Sequence, residues 1–205
     1  GFYHTCGVTT AGNIECWGVD DGTTFDYGQV TGAPNIGSYT SVSAGYTHSC
    51  ALRNNGNVVC WGNNNYGQTS PPPNTFVNVS TGWNHSCGTT MAGAIKCWGN
   101  NDYGQSAAIP GTYLDVSAGP RNTCVLGANG NIVCGGNNDW GQSSPPSGSF
   151  SSVSAGGGSP FGNGDYACGV TTTGQIMCWG SDQYGKASPP NAFYQGVSTG
   201  VNHTC

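Results

Sequence analysis

Apolar positions recur along this chain in a fixed order. An aromatic residue, two further residues, then Val-Ser-Ala-Gly or Val-Ser-Thr-Gly occupy residues 39–45, 76–82, 113–119, 150–156 and 194–200. An aromatic and a Val three apart, bounded by Gly and Pro, predict a short strand. A few residues later come two short apolar runs that enclose a turn, as in Cys50-Ala-Leu-Arg-Asn-Asn-Gly-Asn-Val-Val-Cys60. The turn residues 54–57 have counterparts at 10–13, 91–94, 128–131 and 172–175, each with glycine third. Glycine there supplies the positive φ that a tight hairpin loop requires. Pro71-Pro72-Pro73, Pro145-Pro146 and Pro189-Pro190 exclude helix from the linkers. No stretch sustains a period of 3.6. Each unit therefore predicts three clear strands and a weak fourth.

The unit length follows from the cysteines. From one leading cysteine to the next the spacing is 44, 37, 37, 44 and 37 residues. The repeat is thus 37 residues long, with seven-residue insertions in the first and fourth copies. A period in this range marks a solenoid, propeller or array. Small antiparallel sheets repeated at this size predict an all-β fold, a β-propeller of 37–44-residue blades. The blade units run 1–38, 39–75, 76–112, 113–149 and 150–193, with the start of a sixth at 194–205, as one continuous array.

Five cysteine pairs each flank one predicted hairpin: Cys6 with Cys16, Cys50 with Cys60, Cys87 with Cys97, Cys124 with Cys134, and Cys168 with Cys178. With the turn centred on its glycine, the two cysteines face each other across the strands. Facing β-carbons lie about 4.5–5.5 Å apart, closable by a disulfide at non-hydrogen-bonded pairs. Five intra-repeat disulfides are predicted. Zinc is the alternative, but zinc sites favour cysteines two to four apart. Disulfides imply an oxidising environment, hence an extracellular or cell-surface location. Cys205 stands at the leading-cysteine position of a sixth repeat. Either the natural chain continues to its partner, or Cys205 is free or intermolecular.

The phrases aromatic-x-x-Val-Ser-Ala-Gly, His-Ser-Cys-Ala-Leu, Asn-Gly-Asn-Val-Val-Cys-Trp-Gly and Asn-Tyr-Gly-Gln, read in order over residues 39–68, closely resemble the regulator of chromosome condensation repeat. The resemblance runs through the whole chain. It implies a β-propeller, most often seven-bladed, of which five repeats are present here. The paired cysteines look like the extracellular branch, including crinkly-type plant receptor ectodomains. The nucleotide-exchange role of the chromatin-bound member is not implied, because this chain lacks basic tails and a matched insertion. Bacterial members that inhibit β-lactamases imply that the scaffold can bind proteins.

Composition removes several functions. Charged residues are 6% of the chain, against roughly 25% in average domains. Net charge is −5, and Arg53, Lys96, Arg121 and Lys186 are scattered. Nucleic-acid binding needs clustered basic groups, so it is not expected. No segment has the roughly 18 apolar residues of a membrane span. His4, His48, His85 and His203 share one repeat position. A ring of imidazoles could bind a metal, but repetition at one position points to a structural hydrogen bond. Asp20, Asp21 and Asp26 lie in the first insertion. They could hold Ca²⁺, although the spacing is not that of an EF-hand, and a solvated loop is the simpler reading. No acid/base pair, phosphate loop or dinucleotide fingerprint appears, so no enzyme is expected.

Binding residues in a repeat are best sought where copies differ. The insertions at 19–26 and 157–165 supply Asp20, Asp21, Asp26, Phe161 and Asp165. Trp83, Trp140, Phe161 and Tyr46 depart from the repeat pattern or fill variable positions; they are candidate anchors, with local packing as the simpler reading. Asn78, Asn84 and Asn202 head N-x-S/T sequons, candidates for N-glycosylation in a secreted protein. The expected function is a non-enzymatic propeller for protein interaction, self-association or structural assembly, such as a filament or coat subunit. The alternative is a lectin-like propeller that binds glycans through repeated Tyr-Gly-Gln and Asn-Asn positions. A secreted enzyme inhibitor is the third reading.

Overall fold

A computed structural model describes residues 1–158 and 164–205. It is all-β, with five antiparallel sheets in chain order. The first holds two strands, β1 (His4–Val8) and β2 (Ile14–Gly18). The other four each hold three: β3 (Tyr39–Ala44), β4 (His48–Arg53) and β5 (Val58–Gly62); β6 (Phe76–Thr81), β7 (His85–Thr90) and β8 (Ile95–Gly99); β9 (Tyr113–Ala118), β10 (Asn122–Gly127) and β11 (Ile132–Gly136); β12 (Phe150–Gly157), β13 (Asp165–Thr171) and β14 (Ile176–Gly180). Each sheet is one propeller blade, and in the three-stranded blades the middle strand is flanked on both sides.

Register places the cysteines opposite one another in all five hairpins. Disulfides join Cys6 to Cys16, Cys50 to Cys60, Cys87 to Cys97, Cys124 to Cys134, and Cys168 to Cys178, with Cα atoms 4.0–4.1 Å apart. The two ends of each bridge differ in setting. Cys50, Cys87, Cys124 and Cys168, on middle strands, are fully buried. Their partners Cys60, Cys97, Cys134 and Cys178, on outer strands, are half-buried. In the first blade, which has no strand outside β1, both Cys6 and Cys16 are half-buried and pack against the core around Ile14. The hairpin turn closes as its glycine requires: Gly56 has φ 81°, and Arg53 N donates to Asn57 O at 2.9 Å.

Two expectations need correction. The weak fourth strand does not form. After the third strand the chain enters a compact turn built on Asn, Tyr-Gly and Gln, whose side chains take the backbone hydrogen bonds that a strand partner would have taken. Residues 194–200 are also not a strand. Only Thr199 pairs, with Thr204, and Ser198 and Cys205 exchange backbone bonds at 2.8 and 2.9 Å. In β3 the corresponding residues pair with positions 49–53; here Thr204 and Cys205 take the places of Ser49 and Cys50.

The core lies between blades. Leu52 and Cys50 of the second blade pack with Phe76, Val79 and Trp98 of the third. Ile14 packs with Tyr39, Ala51 and Trp61, and Leu126 and Ile132 pack with Phe150, Val153 and Trp179. A blade is too small to bury its faces alone, so neighbouring blades share each core.

Candidate functional site

The face where strand one turns into strand two also carries the turn after strand three. Backbone bonds fix the two together: Asn63 N donates to Thr47 O at 2.9 Å, Asn100 N to Asn84 O at 2.8 Å and Asn137 N to Arg121 O at 2.9 Å. This is called the upper face; the hairpin turns form the lower one.

Four of the upper-face turns are stapled by a buried glutamine. Tyr66 N donates to Gln68 Oε1, and Gln68 Nε2 donates to Asn63 Oδ1, both at 2.9 Å. Gln29, Gln105 and Gln142 make the same backbone contact with Tyr27, Tyr103 and Trp140. The glutamine carbonyl then faces the next blade. Trp61 Nε1 donates to Gln29 O, Trp98 Nε1 to Gln68 O and Trp179 Nε1 to Gln142 O, all at 2.9 Å. Trp17, the counterpart in the first repeat, is 58% exposed.

The histidines complete this joint. Ser86 Oγ donates to Gln68 O at 2.9 Å and lies 2.9 Å from His48 Nε2. Its proton is committed to the carbonyl, so His48 Nε2–H donates to it. His85 Nε2 meets Thr123 Oγ1 at 2.8 Å in the same way, and His4 Nε2 meets Ser49 Oγ at 2.6 Å. Nδ1 of all three rings is buried without a partner. Burial holds His48 down at about 3 and His85 and His4 at about 4, so the rings are neutral. Among the described residues no group of three or more His, Cys, Asp or Glu could hold a metal ion. These histidines act as struts between blades, bonded to the next blade's hydroxyl rather than to a neighbouring turn.

With Gln and Asn spent internally, the turn offers solvent its aromatic ring. Tyr27, Tyr66, Tyr103, Trp140 and Tyr184 are between 42% and 69% exposed. Inside this ring of aromatics, around the propeller axis, lies a second row. Phe25 stacks on Tyr3 at 4.6 Å, Tyr3 meets Tyr46 at 5.2 Å, and Tyr46 meets Trp83 at 5.2 Å. The Arg121 guanidinium then sits 5.0 Å from the Trp83 ring and 5.5 Å from the Tyr103 ring, joining the two rows. Tyr46 and Trp83 of this row border a funnel of about 290 Å³, walled by glycines such as Gly45, Gly82, Gly119 and Gly156.

The structure thus gathers Trp83, Trp140 and Tyr46 on one face together with the first insertion and Asp165. Asp26 accepts from the amides of Gly28 and Gly22, which lower its pKa, and Asp21 accepts from Thr23 N. The carboxylates of Asp21 and Asp26 shape the turns of their own loop. Asp165 is buried; desolvation raises its pKa to about 6, against the opposing pull of Arg121 and Lys186. Its Oδ2 has no hydrogen-bond partner among the described residues. Lys186, where the other repeats have Gln, is also buried and donates to Gly164 O at 2.8 Å. Phe161 lies outside the described residues.

The sequons differ in setting. Asn202 is exposed and Asn84 half-buried on the upper face. Asn78 is committed: its amide donates to Asp115 of the neighbouring blade. Cys205 is exposed and unpaired. Sequence reasoning missed the buried glutamines and the hydroxyl bridges, although the recurrence of Gln after Tyr-Gly was a signal.

Residues 39–68 and 76–105 match the regulator of chromosome condensation (RCC1) repeat. Two of the chain's five repeats thus match this repeat family. Its structure resembles the entire ectodomain of the Physcomitrella patens receptor kinase CR4, with a TM-score of 0.77 and 24% identity over 96% of this chain and 55% of that one. It also resembles the CRINKLY WD40 ectodomain of the Arabidopsis thaliana receptor kinase ACR4, with a TM-score of 0.75 and 23% identity over 98% and 70%. Prp20p from Saccharomyces cerevisiae aligns with a TM-score of 0.75 and 16% identity over 99% and 66%. These propellers share the fold, and the chain spans 55% of the length of the moss ectodomain. No curated protein sequence matches it.

Proposed function

We propose that this chain is a non-enzymatic, extracellular propeller that binds a protein partner through its upper face. The observation that carries this reading is the exposed aromatic residue at all five turn positions, four of them backed by a buried glutamine. Rigid aromatic side chains held out of a core are the anchors that interfaces use, because they bury much area for little ordering entropy. Prp20p is described by its binding to Gsp1p and histones, so a propeller of this fold engages proteins. Five disulfides in a small-bladed array fit an oxidising compartment, as does the likeness to receptor ectodomains. The buried histidines are neutral and enclosed, which suits them poorly to acid–base chemistry. A lectin built on Asn and Gln fits less well. Asn63 Oδ1 and both ends of Gln68 are consumed by the turn, leaving few polar groups for sugar hydroxyls.

The test compares two variants for retention of partner from the cell surface that expresses the protein. Tyr66→Ala with Tyr103→Ala and Trp140→Ala should lower retention at least about tenfold, as loss of central anchors does. Val77→Ser with Met91→Ser and Leu114→Ser, exposed positions away from the upper face, should leave it unchanged. The opposite pattern would overturn the reading.

A further inference from the structure

The upper face is acidic as well as aromatic. Asp26, Asp102 and Asp139 directly precede the exposed rings of Tyr27, Tyr103 and Trp140. Asp20 and Asp21 stand in the same insertion as Asp26, and Asp182 lies two residues before Tyr184. Among the described residues two cations share this face: Lys186 is buried, and Arg121 is already seated against Trp83 and Tyr103. Arg53 and Lys96 belong to the lower ends of β4 and β8. Six carboxylates therefore outnumber the cations around these rings.

We propose, resting on the reading that this face binds protein, that the segment it takes is basic: an extended stretch bearing arginine or lysine. Each cation would lie over an exposed ring with the preceding aspartate beside it. The chain shows the cation–ring part of this geometry once, in Arg121, whose guanidinium lies 5.0 and 5.5 Å from two upper-face rings. A second observation points the same way. Asp165, 3% exposed and with Gln142 acting on its carboxylate, has an oxygen, Oδ2, that meets no hydrogen-bond donor among the described residues. The charged groups acting on it are Arg121, Lys186 and Asp139. A buried oxygen of this kind calls for a donor, and a cationic side chain supplies one. Polyanions are disfavoured, since the six carboxylates repel them. Each exposed cation–ring contact contributes about two- to fivefold in affinity, so several must act together along one segment.

The probes are short synthetic peptides in which glycine alternates with arginine, glutamine or glutamate, titrated calorimetrically into the full chain. The arginine peptide should bind, with affinity falling when salt rises from about 50 to about 300 mM. Asp102→Asn with Asp139→Asn should weaken it about fivefold. The glutamine and glutamate peptides should give no binding. Equal binding of the glutamine peptide, or no change in the asparagine variant, overturns the proposal. If no peptide binds while the alanine variant at Tyr66, Tyr103 and Trp140 still loses its natural partner, the basic segment is refuted and the protein-binding reading stands. If that alanine variant keeps its partner, the protein-binding reading itself fails.

Discussion

Ser86→Ala is the sharpest probe of how the blades are joined. The hydroxyl bridges His48 Nε2 and Gln68 O, both in the preceding blade, at 2.9 Å each. His48, Ser86 and Gln68 are fully buried. Removing the oxygen leaves the imidazole N–H without an acceptor and leaves the carbonyl with Trp98 Nε1 alone. A buried group stripped of its partner costs about 1–3 kcal/mol, so the variant should lose about 2–4 kcal/mol. The fifth blade shows the compensation. Ala167 stands at the hydroxyl position, and Asn122 replaces the histidine, its Nδ2 reaching Gln142 O directly at 3.4 Å. Asn122 lies against Gly119 as His48 lies against Gly45, so the seat is the same. His48→Asn combined with Ser86→Ala should therefore be about 1–2 kcal/mol more stable than the sum of the single losses. Urea unfolding of the oxidised protein, followed by tryptophan fluorescence, measures all four corners of this cycle. Additivity within about 0.5 kcal/mol would refute the bridge as a coupling element.

Other outcomes follow from the same geometry. His4, His48 and His85 have folded pKa values below their unfolded value of 6.5, so the unfolded chain binds more protons in acid. Their stability contribution is complete above pH 6.5 and is lost as pH falls toward 4 and then 3; melting temperatures across that range check it, and a flat profile would contradict it. Asp165 has the opposite sign: its raised pKa favours the fold below about pH 4 and costs stability as pH rises through 6. Asp165→Asn should therefore be more stabilising at about pH 7.5 than at about pH 4, as read from paired melts. Replacing Cys124 and Cys134 by Ala should cost about 2–3 kcal/mol in urea unfolding, the usual loss for a short closed loop. Gly45→Ala would place a methyl 2.9 Å from His48 Cε1 and against Gly82 O, so yield and melting temperature should both fall.

What the sequence disclosed was local. Cys50 and Cys60 are ten residues apart across one turn, and their facing register follows from the placement of Gly56. The joints between blades link residues far apart in the chain, such as His48 with Ser86, 38 positions on, and nothing beside either residue announces the other. A signal did exist in the paired departures: Asn122 replaces His in one repeat, and Ala167 replaces Ser or Thr in the next. The turn residues Asn63 and Asn137 were recognisable by type, but the buried glutamine that staples them was not, because its partners lie within a turn that reads as a weak strand. For the upper face, Trp83 and Trp140 stood out as irregular positions. The tyrosines entered only through the glycan-binding alternative, since regular recurrence resembles core packing until exposure is known.

The most direct measurement is hydrogen–deuterium exchange of the chain with and without its bound protein partner. Binding through the upper face predicts new protection over residues 19–29, 45–48, 63–68, 100–105 and 137–142. Protection confined to the hairpin turns at 53–57, 90–94, 127–131 and 171–175, with the aromatic face unchanged, would contradict it.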